Sequence, residues 1–329
     1  MDAPLLRDGA QHMIWLFKDA NYPFLRYKNW GYAISIGLTV LAIAVIAVRG
    51  GLQYSIDFTG GTLVQLKFEE PVESQVLREA LASVEGLSSS EVQRFGDPTD
   101  VVIRAYVPPG EETLFGDRIE AHLQQAPELA GKDFQVVRTE AVGPKIGEEL
   151  KTQAVLAVLY ALALILVYVA IRFDLKFGVA AIVATIHDVI MSVGIFALAD
   201  KEISLAVVAA FLTIVGYSLN DTVVVFDRIR ENLRSMRRES YSAVVNASVN
   251  QTLSRTIITG GATLIVVLLL FFIGGSVIHD FAFALLIGIL IGTYSSIFIA
   301  SPLVVDWHRL FEEGRTPAPK PGRTKAGAR

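Results

Sequence analysis

The sequence predicts an α-helical membrane protein with six transmembrane helices and one α+β domain outside the membrane. Of its 329 residues, 52% are hydrophobic, and the mean hydropathy is +0.47. The hydrophobic residues are concentrated in runs long enough to cross a hydrocarbon core about 30 Å thick. Between the first two runs the pattern changes to alternating and helical periodicities. The chain contains no Cys, which excludes disulfides, thiolate nucleophiles and Cys-ligated metals.

Six hydrophobic segments are the predicted membrane spans. The first lies well inside the chain and lacks a small-residue cleavage site, so we interpret it as a span rather than a signal peptide. The predicted spans are residues 30–48, 153–171, 177–199, 203–226, 257–274 and 281–305.

Lys and Arg are distributed unequally between alternate connecting segments. The segments rich in these residues are 1–29, 172–176, 227–256 and the tail 306–329. The two short loops on the opposite side contain only Lys201. Because cytoplasmic loops carry an excess of Lys and Arg, both termini are predicted to be cytoplasmic and residues 49–152 extracytoplasmic. The end of the tail is rich in Pro, Gly and basic residues, which predicts disorder.

Residues 49–152 form the predicted extramembrane domain. "LQYSIDFTGGTLVQLKF" indicates a strand, a Gly-Gly break and a second strand, and "PVESQVLREALASV" has helical spacing. Two strands in "EVQRFGDPTDVVIRAYV", a helix in "EETLFGDRIEAHLQQA" and a strand in "KDFQVVRTEAVG" follow. The order βαββαβ predicts a ferredoxin-like domain. It contains 18 acidic and 10 basic residues, which favours a solvated surface. Its sequence shows no catalytic or phosphate-binding pattern.

Asp221 is a carboxylate placed before the end of the fourth predicted span. A charge at the centre of a bilayer costs about 2.5–3.5 kcal/mol, so such residues are candidates for function. At about 100° per residue, Thr213, Tyr217, Asn220, Asp221 and Val224 share one helix face. That face must contact other helices or a water-filled path. A titratable group in a proton path is favoured over a packing residue, because Asn would serve packing at lower cost.

Three other ionisable residues lie within or beside the spans. Arg255 precedes the fifth span. From spacing alone, the preferred interpretation is a basic residue whose side chain reaches the membrane interface. The alternative is that Arg255 is the counter-charge of a carboxylate. His187 and Asp188 are the deepest titratable pair. Since successive helical residues point about 100° apart, the two need not touch. A proton relay and a helix–helix hydrogen bond both fit them.

Two further patterns predict how the helices are arranged. In the sixth span Gly288, Gly292 and Ser296 recur every four residues, which predicts a seam of small residues for close helix packing. Residues 241–256 are amphipathic, and we expect this segment to lie along the inner membrane surface, in contact with the lipid bilayer.

Four motifs resemble the SecF family of bacterial protein-export membrane subunits. They are "DFTGG" (57–61), "VGPKIGEEL" (142–150), "SLNDTVVVFDRIREN" (218–232) and "NQTLSRTIITG" (250–260). They occur in the family's order, and the resemblance extends from the first to the sixth span.

The resemblance implies a transporter of the resistance-nodulation-division type in the bacterial cytoplasmic membrane, with a periplasmic domain between helices one and two. It implies pairing with SecD, association with the SecYEG channel, and use of the proton-motive force to move unfolded polypeptide. Asp221 and Arg255 match the family's proton-conducting residues, and the partner carboxylate would lie in SecD. H⁺ is the expected coupling ion.

The motifs also suggest how the domain would move relative to the membrane. We expect hinges near residues 49–51 and 143–147. The residues of the hinges and of the glycine motifs are Asp57, Gly60, Gly61, Gly143, Pro144 and Gly147. Two alternative functions are a related exporter of lipids or small molecules and a non-conducting scaffold for the translocon. No enzymatic activity, cofactor, metal or nucleic-acid partner is expected.

Overall fold

The computed structural model describes residue 17 and residues 20–82, 90–94, 97–105 and 112–311. In chain order its elements are α1 (Lys28–Val48), α2 (Ile56–Thr59), β1 (Gly61–Phe68), α3 (Ser74–Ala82), β2 (Glu91–Arg94), β3 (Asp100–Ala105), α4 (Glu112–Leu123), β4 (Phe134–Val142), α5 (Pro144–Arg172), α6 (Leu175–Leu198), α7 (Leu205–Ser235), α8 (Tyr241–Ile273), α9 (Gly275–Ser295) and α10 (Ser301–Phe311). Six helical segments of this part are long and apolar enough to cross a membrane, as predicted: α1, α5, α6, α7, α8 and the unit formed by α9 and α10. The tail beyond Phe311, for which disorder is predicted, lies outside the described residues.

The domain between α1 and α5 is a four-stranded antiparallel sheet with two helices. Its strand order is β2-β3-β1-β4, and the order of elements from β1 to β4 is the predicted βαββαβ. Strand β1 lies at the centre, paired with β3 on one side and β4 on the other. Its apolar side chains join those of β3, α3 and α4 in one core, which includes Leu66, Leu77, Ile103 and Ile119.

The prediction of a strand before the Gly-Gly motif is wrong, because this segment contains a short helix. Residues 56–59 form the short helix α2, because the Ser55 side chain accepts a hydrogen bond from the Asp57 N–H and caps its start. Gly60, at φ +73°, ends it. Of the predicted strand, only an isolated bridge between Tyr54 and Ile203 is present in the described residues.

The base of the domain is attached to the loop between α6 and α7. The Ser55 N–H donates to the Ile203 carbonyl at 3.0 Å, and the Ile203 N–H donates to the Gln53 carbonyl at 2.8 Å. Arg104 of β3 forms an ion pair with Glu202 of the same loop. The domain is therefore joined to the membrane helices by backbone pairing as well as by its two chain connections.

The amphipathic segment before the fifth span does not form a separate surface helix, which corrects the expectation for residues 241–256. It is the first half of α8, a single helix of 33 residues capped by Ser240. At 1.5 Å per residue α8 is about 50 Å long, more than a hydrocarbon core requires. Its first half packs against the end of α7, where the Asn232 amide donates to Ser248 and Gln251, both at 2.9 Å.

A single π-helical turn, Ser296–Ala300, interrupts the sixth span between α9 and α10. Its cause is Pro302, which lacks an N–H and whose ring in a regular α-helix would clash with the carbonyl four residues earlier. The wider turn is closed by the Ser301 N–H, which donates to the Ser296 carbonyl. The Ser301 hydroxyl donates to the same oxygen at 2.7 Å. Such turns occur frequently at functional sites.

Candidate ion-coupling site in the membrane

Helices α7 and α9 cross closely along the predicted seam of small residues. A Cβ added to Gly288 would lie 2.2 Å from the Ile214 side chain, and one added to Gly292 would lie 3.0 Å from Ser218 Cβ. Both contacts are shorter than ordinary van der Waals distances: a side chain at Gly288 would clash with Ile214, and one at Gly292 would require Ser218 to move by a few tenths of an ångström. The close approach lets the short Ser296 side chain reach across to Asp221.

Asp221 is a half-buried carboxylate that receives two hydrogen bonds from hydroxyl groups. The Thr256 hydroxyl of α8 donates to Oδ1 at 2.6 Å, and the Ser296 hydroxyl donates to Oδ2 at 2.8 Å. Three membrane helices therefore converge on this one group. Both donors are uncharged, so they orient the carboxylate without neutralising it.

Arg255 and Asn220 lie beside Asp221 on the outside of the helix bundle. Both are exposed, and the Arg255 guanidinium is near enough to act electrostatically on the Asp221 carboxylate. In the described part of the chain no ion pair within 4.0 Å joins Asp221 to Arg255. Thr213 and Gly216, farther along the same face of α7, are also exposed. Part of the polar face predicted on α7 thus lies on a surface that no other helix of this chain covers in the described residues.

Asp188 is the centre of a second polar cluster and is fully buried. The hydroxyl of Ser218 on α7 donates to its Oδ2. The hydroxyl of Ser295 on α9 donates to the same oxygen at 2.7 Å. His187, which need not touch its neighbour by helical geometry alone, does so: its Nδ1 is 2.8 Å from Asp188 Oδ1.

Ser295 and Ser296 connect the two carboxylates across the sixth span. Ser295 donates to Asp188, and Ser296, the next residue, donates to Asp221. The π-helical turn begins at Ser296. The two clusters therefore share the point where the helix changes its hydrogen-bonding pattern. A movement of this turn would change the hydrogen bonds to both carboxylates.

The two glycine-containing motifs of the extramembrane domain meet where the domain joins the membrane helices. A Cβ on Gly60, at φ +73°, would lie 2.7 Å from Pro144 Cα, and one on Gly147 would lie about 3.1 Å from the Phe58 carbonyl. Gly143 directly precedes α5 as its N-cap, and Gly61 opens β1. The Asp57 carboxylate accepts a hydrogen bond from the Leu205 N–H at 2.8 Å, at the first residue of α7. The motif therefore caps the helix that carries Asp221.

Several residues that contact these carboxylates or hold neighbouring segments are not predicted from the sequence. Thr256, Ser218 and Ser295 are hydroxyl residues of the spanning helices, and each donates to a carboxylate on another helix. The side-chain amides of Asn246 and Asn250 are two further examples. In the structure both amides donate to the Tyr22 carbonyl, at 3.0 and 2.9 Å, and so hold the segment before α1 against α8. Among the described residues no group of three His, Cys, Asp or Glu side chains could hold a metal ion.

Comparison with known families identifies two matching regions. Residues 122–310 match the model of the C-terminal part of the protein-export membrane proteins SecD and SecF. Residues 45–72 match the model of the SecD/SecF GG motif, which contains the Gly60–Gly61 pair.

Full-length relatives show the same similarity. The protein translocase subunit SecF of Desulfurispirillum indicum is 46% identical over 294 residues, which cover 88% of this chain and 93% of the relative. The protein translocase subunit SecDF of Thermus thermophilus is 45% identical over 298 residues, which cover 89% of this chain but 39% of the relative.

Solved structures of SecDF have the same fold. The crystal structure of the translocon-associated membrane protein SecDF from Thermus matches with a TM-score of 0.80 and 42% identity, over 90% of this chain and 40% of that one. SecDF in its super-membrane-facing form matches over the same shares with a TM-score of 0.65. The conformation of this chain is therefore nearer to the former structure.

Proposed function

Because the chain belongs to the SecD/SecF family of protein-export membrane proteins, as a SecF-type translocase subunit, we propose that it couples proton entry to polypeptide export. In this proposal it works with a SecD subunit and the SecYEG channel in the bacterial cytoplasmic membrane. Both termini are cytoplasmic, and the sheet domain faces the periplasm, where it acts on unfolded polypeptide. The coupling ion is H⁺.

The uncovered polar face on α7 and α8 supports pairing with a second membrane subunit. Thr213, Asn220 and Arg255 are exposed in this chain, although polar groups facing hydrocarbon are costly. The similar SecDF structure is longer, and this chain spans 40% of it. We infer that a SecD half covers this face and completes the surroundings of Asp221.

The single observation that carries the proton-coupling proposal is the arrangement of Asp221. Its carboxylate is held at the intramembrane crossing by hydroxyl donors from α8 and the sixth span, and it borders the face assigned to SecD. Among the described residues no charged group is in hydrogen-bonding contact with Asp221, so a proton that binds there removes the negative charge of this carboxylate from the crossing. One proton that moves through 100 mV supplies about 2.3 kcal/mol, enough to alter a balance between two helix arrangements.

The contacts of the sixth span suggest how the change would be transmitted. A protonated Asp221 is a weaker acceptor for the Ser296 hydroxyl, since hydrogen bonds to ionised groups are the stronger ones. The π-helical turn that begins at Ser296 could then shift, and Ser295 would carry the shift to Asp188 on α6. Helix α7 is attached to the extramembrane domain through Asp57, so a movement of this helix changes the position of the domain.

The test measures export into inverted membrane vesicles that contain the chain, a SecD subunit and SecYEG, with and without a proton gradient. We expect Asp221→Asn to abolish the part of export that depends on the gradient and Arg255→Gln to reduce it. Asp227→Asn is the matched control, because Asp227 lies on the same helix but pairs with Arg172 outside the bundle.

Assembly is measured in the same membranes by co-purification with SecD. Proton-stimulated export that persists with Asp221→Asn would contradict the proposal and favour a scaffold. Loss of export together with loss of co-purification would show instead that Asp221 serves assembly.

A further inference from the structure

An apolar cleft of about 260 Å³ lies between α5, α6 and α7, below the short helix α2. It is separate from Asp221 and from the polar face assigned to a second subunit. Its lining residues are Leu52, Tyr54, Phe58, Lys151, Ala154, Val155, Val158, Leu159, Val189, Val193, Ile203, Val208, Phe211, Leu212 and Val215.

The cleft exists because α5 packs loosely against the rest of the bundle. Only 6% of the residues in its most apolar stretch are buried. Val155 and Leu159, which line the cleft, are 56% and 55% exposed. On the opposite wall Phe211 is 6% exposed. The opening therefore faces the surroundings of α5, which for a membrane-spanning helix are lipid.

The lining of the cleft is polarised along the membrane normal. Among the described residues that line the cleft, Lys151 is the one that is charged. Its ammonium lies 4.5 Å from the centre of the Tyr54 ring, at the end nearest the domain. From Lys151 to Leu159 the lining of α5 descends eight residues, about 12 Å at 1.5 Å per residue. Below Lys151 the walls are hydrocarbon.

The neighbouring charges leave Lys151 open to a ligand. Glu148 lies one helical turn closer to the domain and is exposed, but no ion pair within 4.0 Å joins it to Lys151 in the described part of the chain. Asp57, next to Phe58 of the lining, accepts from the Leu205 N–H, and Glu202, next to Ile203 of the lining, pairs with Arg104. A phosphate at Lys151 would therefore meet a cation that is not already paired with a carboxylate.

We propose that this cleft binds a membrane phospholipid, with one acyl chain between α5 and α7 and the phosphate at Lys151. The charge at the end nearest the domain and the apolar depth below it match an amphipathic molecule of the leaflet on the domain's side. The inference concerns binding alone and does not depend on the proposed function.

The bound lipid would also contact the junction between domain and membrane. Tyr54 and Phe58 form part of the cleft, and Phe58 packs against Gly147 at the start of α5. An acyl chain would fill the space that separates α5 from α7 below this contact. The lipid would thus brace α5 at the position where the glycine motifs meet.

The test uses the full chain in phospholipid nanodiscs that contain phosphatidylglycerol with a photoactivatable group on its acyl chain. After irradiation, mass spectrometry maps the labelled residues. We expect label on Phe211 and Leu212, which is competed by unlabelled phospholipid. Ala154→Phe, which fills the cleft, should lower this label about tenfold. Lys151→Gln should lower it about 1.4- to 5-fold, the range for loss of one exposed ion pair.

Ala163→Phe is the matched control, because Ala163 is exposed on the same helix and does not line the cleft. Label on Phe211 that is unchanged by both Ala154→Phe and Lys151→Gln would overturn the proposal. Loss of label when a SecD subunit is added to the nanodisc would also overturn it, since the cleft would then receive a helix of the partner.

Discussion

Replacement of Gly288 by Ala tests the packing that brings Ser296 to Asp221. The new Cβ would lie 2.2 Å from Cδ1 and Cγ1 of Ile214 and 2.7 Å from its Cγ2. Ile214 is 1% exposed, so its side chain has no solvent into which it can turn. The helices α7 and α9 must separate or the isoleucine must leave its rotamer.

The expected cost follows from the behaviour of overpacked cores. Overpacking costs about 1–3 kcal/mol, so Gly288→Ala should lower the free energy of unfolding by that amount. Ile214→Ala alone leaves a cavity and should cost about 2–5 kcal/mol. In the double variant the new methyl group enters the space of the missing side chain. We expect the double variant to be about 1–3 kcal/mol more stable than the sum of the single effects predicts.

The assay is reversible unfolding by SDS in mixed micelles, with the free energy of unfolding as the readout. Gly261→Ala on α8 is the control, because a Cβ there would have no atom within 4 Å. It should be neutral or stabilise by up to about 1 kcal/mol. Additive effects of Gly288→Ala and Ile214→Ala, within about 0.5 kcal/mol, would refute the proposed clash.

Three other substitutions test contacts that join distant parts of the chain. Ser296→Ala removes one of the two donors to Asp221, and gradient-driven export should fall while co-purification with SecD is retained. Asp57→Ala removes the acceptor for the Leu205 N–H and should lower the free energy of unfolding by about 0.5–2 kcal/mol, as for lost helix caps. Asn250→Ala removes hydrogen bonds to the segment before α1, and limited proteolysis should cut that segment faster.

Each of these substitutions has a control within the chain. Thr263→Ala removes an exposed hydroxyl that bonds only its own helix, so export equal to that of Ser296→Ala would argue against a specific role for Ser296. Asp57→Asn keeps an acceptor oxygen and should recover most of the lost stability. Asn246→Ala should accelerate proteolysis as Asn250→Ala does. Unchanged cleavage in both variants would exclude the role of these two amides in holding the segment before α1 against α8.

Much of the architecture is predictable because it depends on periodicity and composition. Long apolar runs predict six spanning segments, and the alternation of short patterns predicts the βαββαβ domain. These features are local, so neighbouring residues suffice to define them. Where local patterns mislead, a specific residue accounts for it: Ser55 and Gly60 delimit a helix in a strand-like segment, and Ser240 starts a helix that continues through the amphipathic stretch into the fifth span.

The sequence by itself determined that Asp188 and Asp221 are carboxylates in apolar surroundings and that the sixth span carries a seam of small residues. Only the tertiary structure decided which groups meet them. Asp188 and Ser295 are separated by 107 residues along the chain, and Asp221 and Ser296 by 75. The physical reason is that helix spacing defines the face on which a side chain lies but not the helix that covers that face. Which helix covers the face depends on the fit of Gly288 and Gly292 against α7, together with the π-helical turn that precedes Pro302.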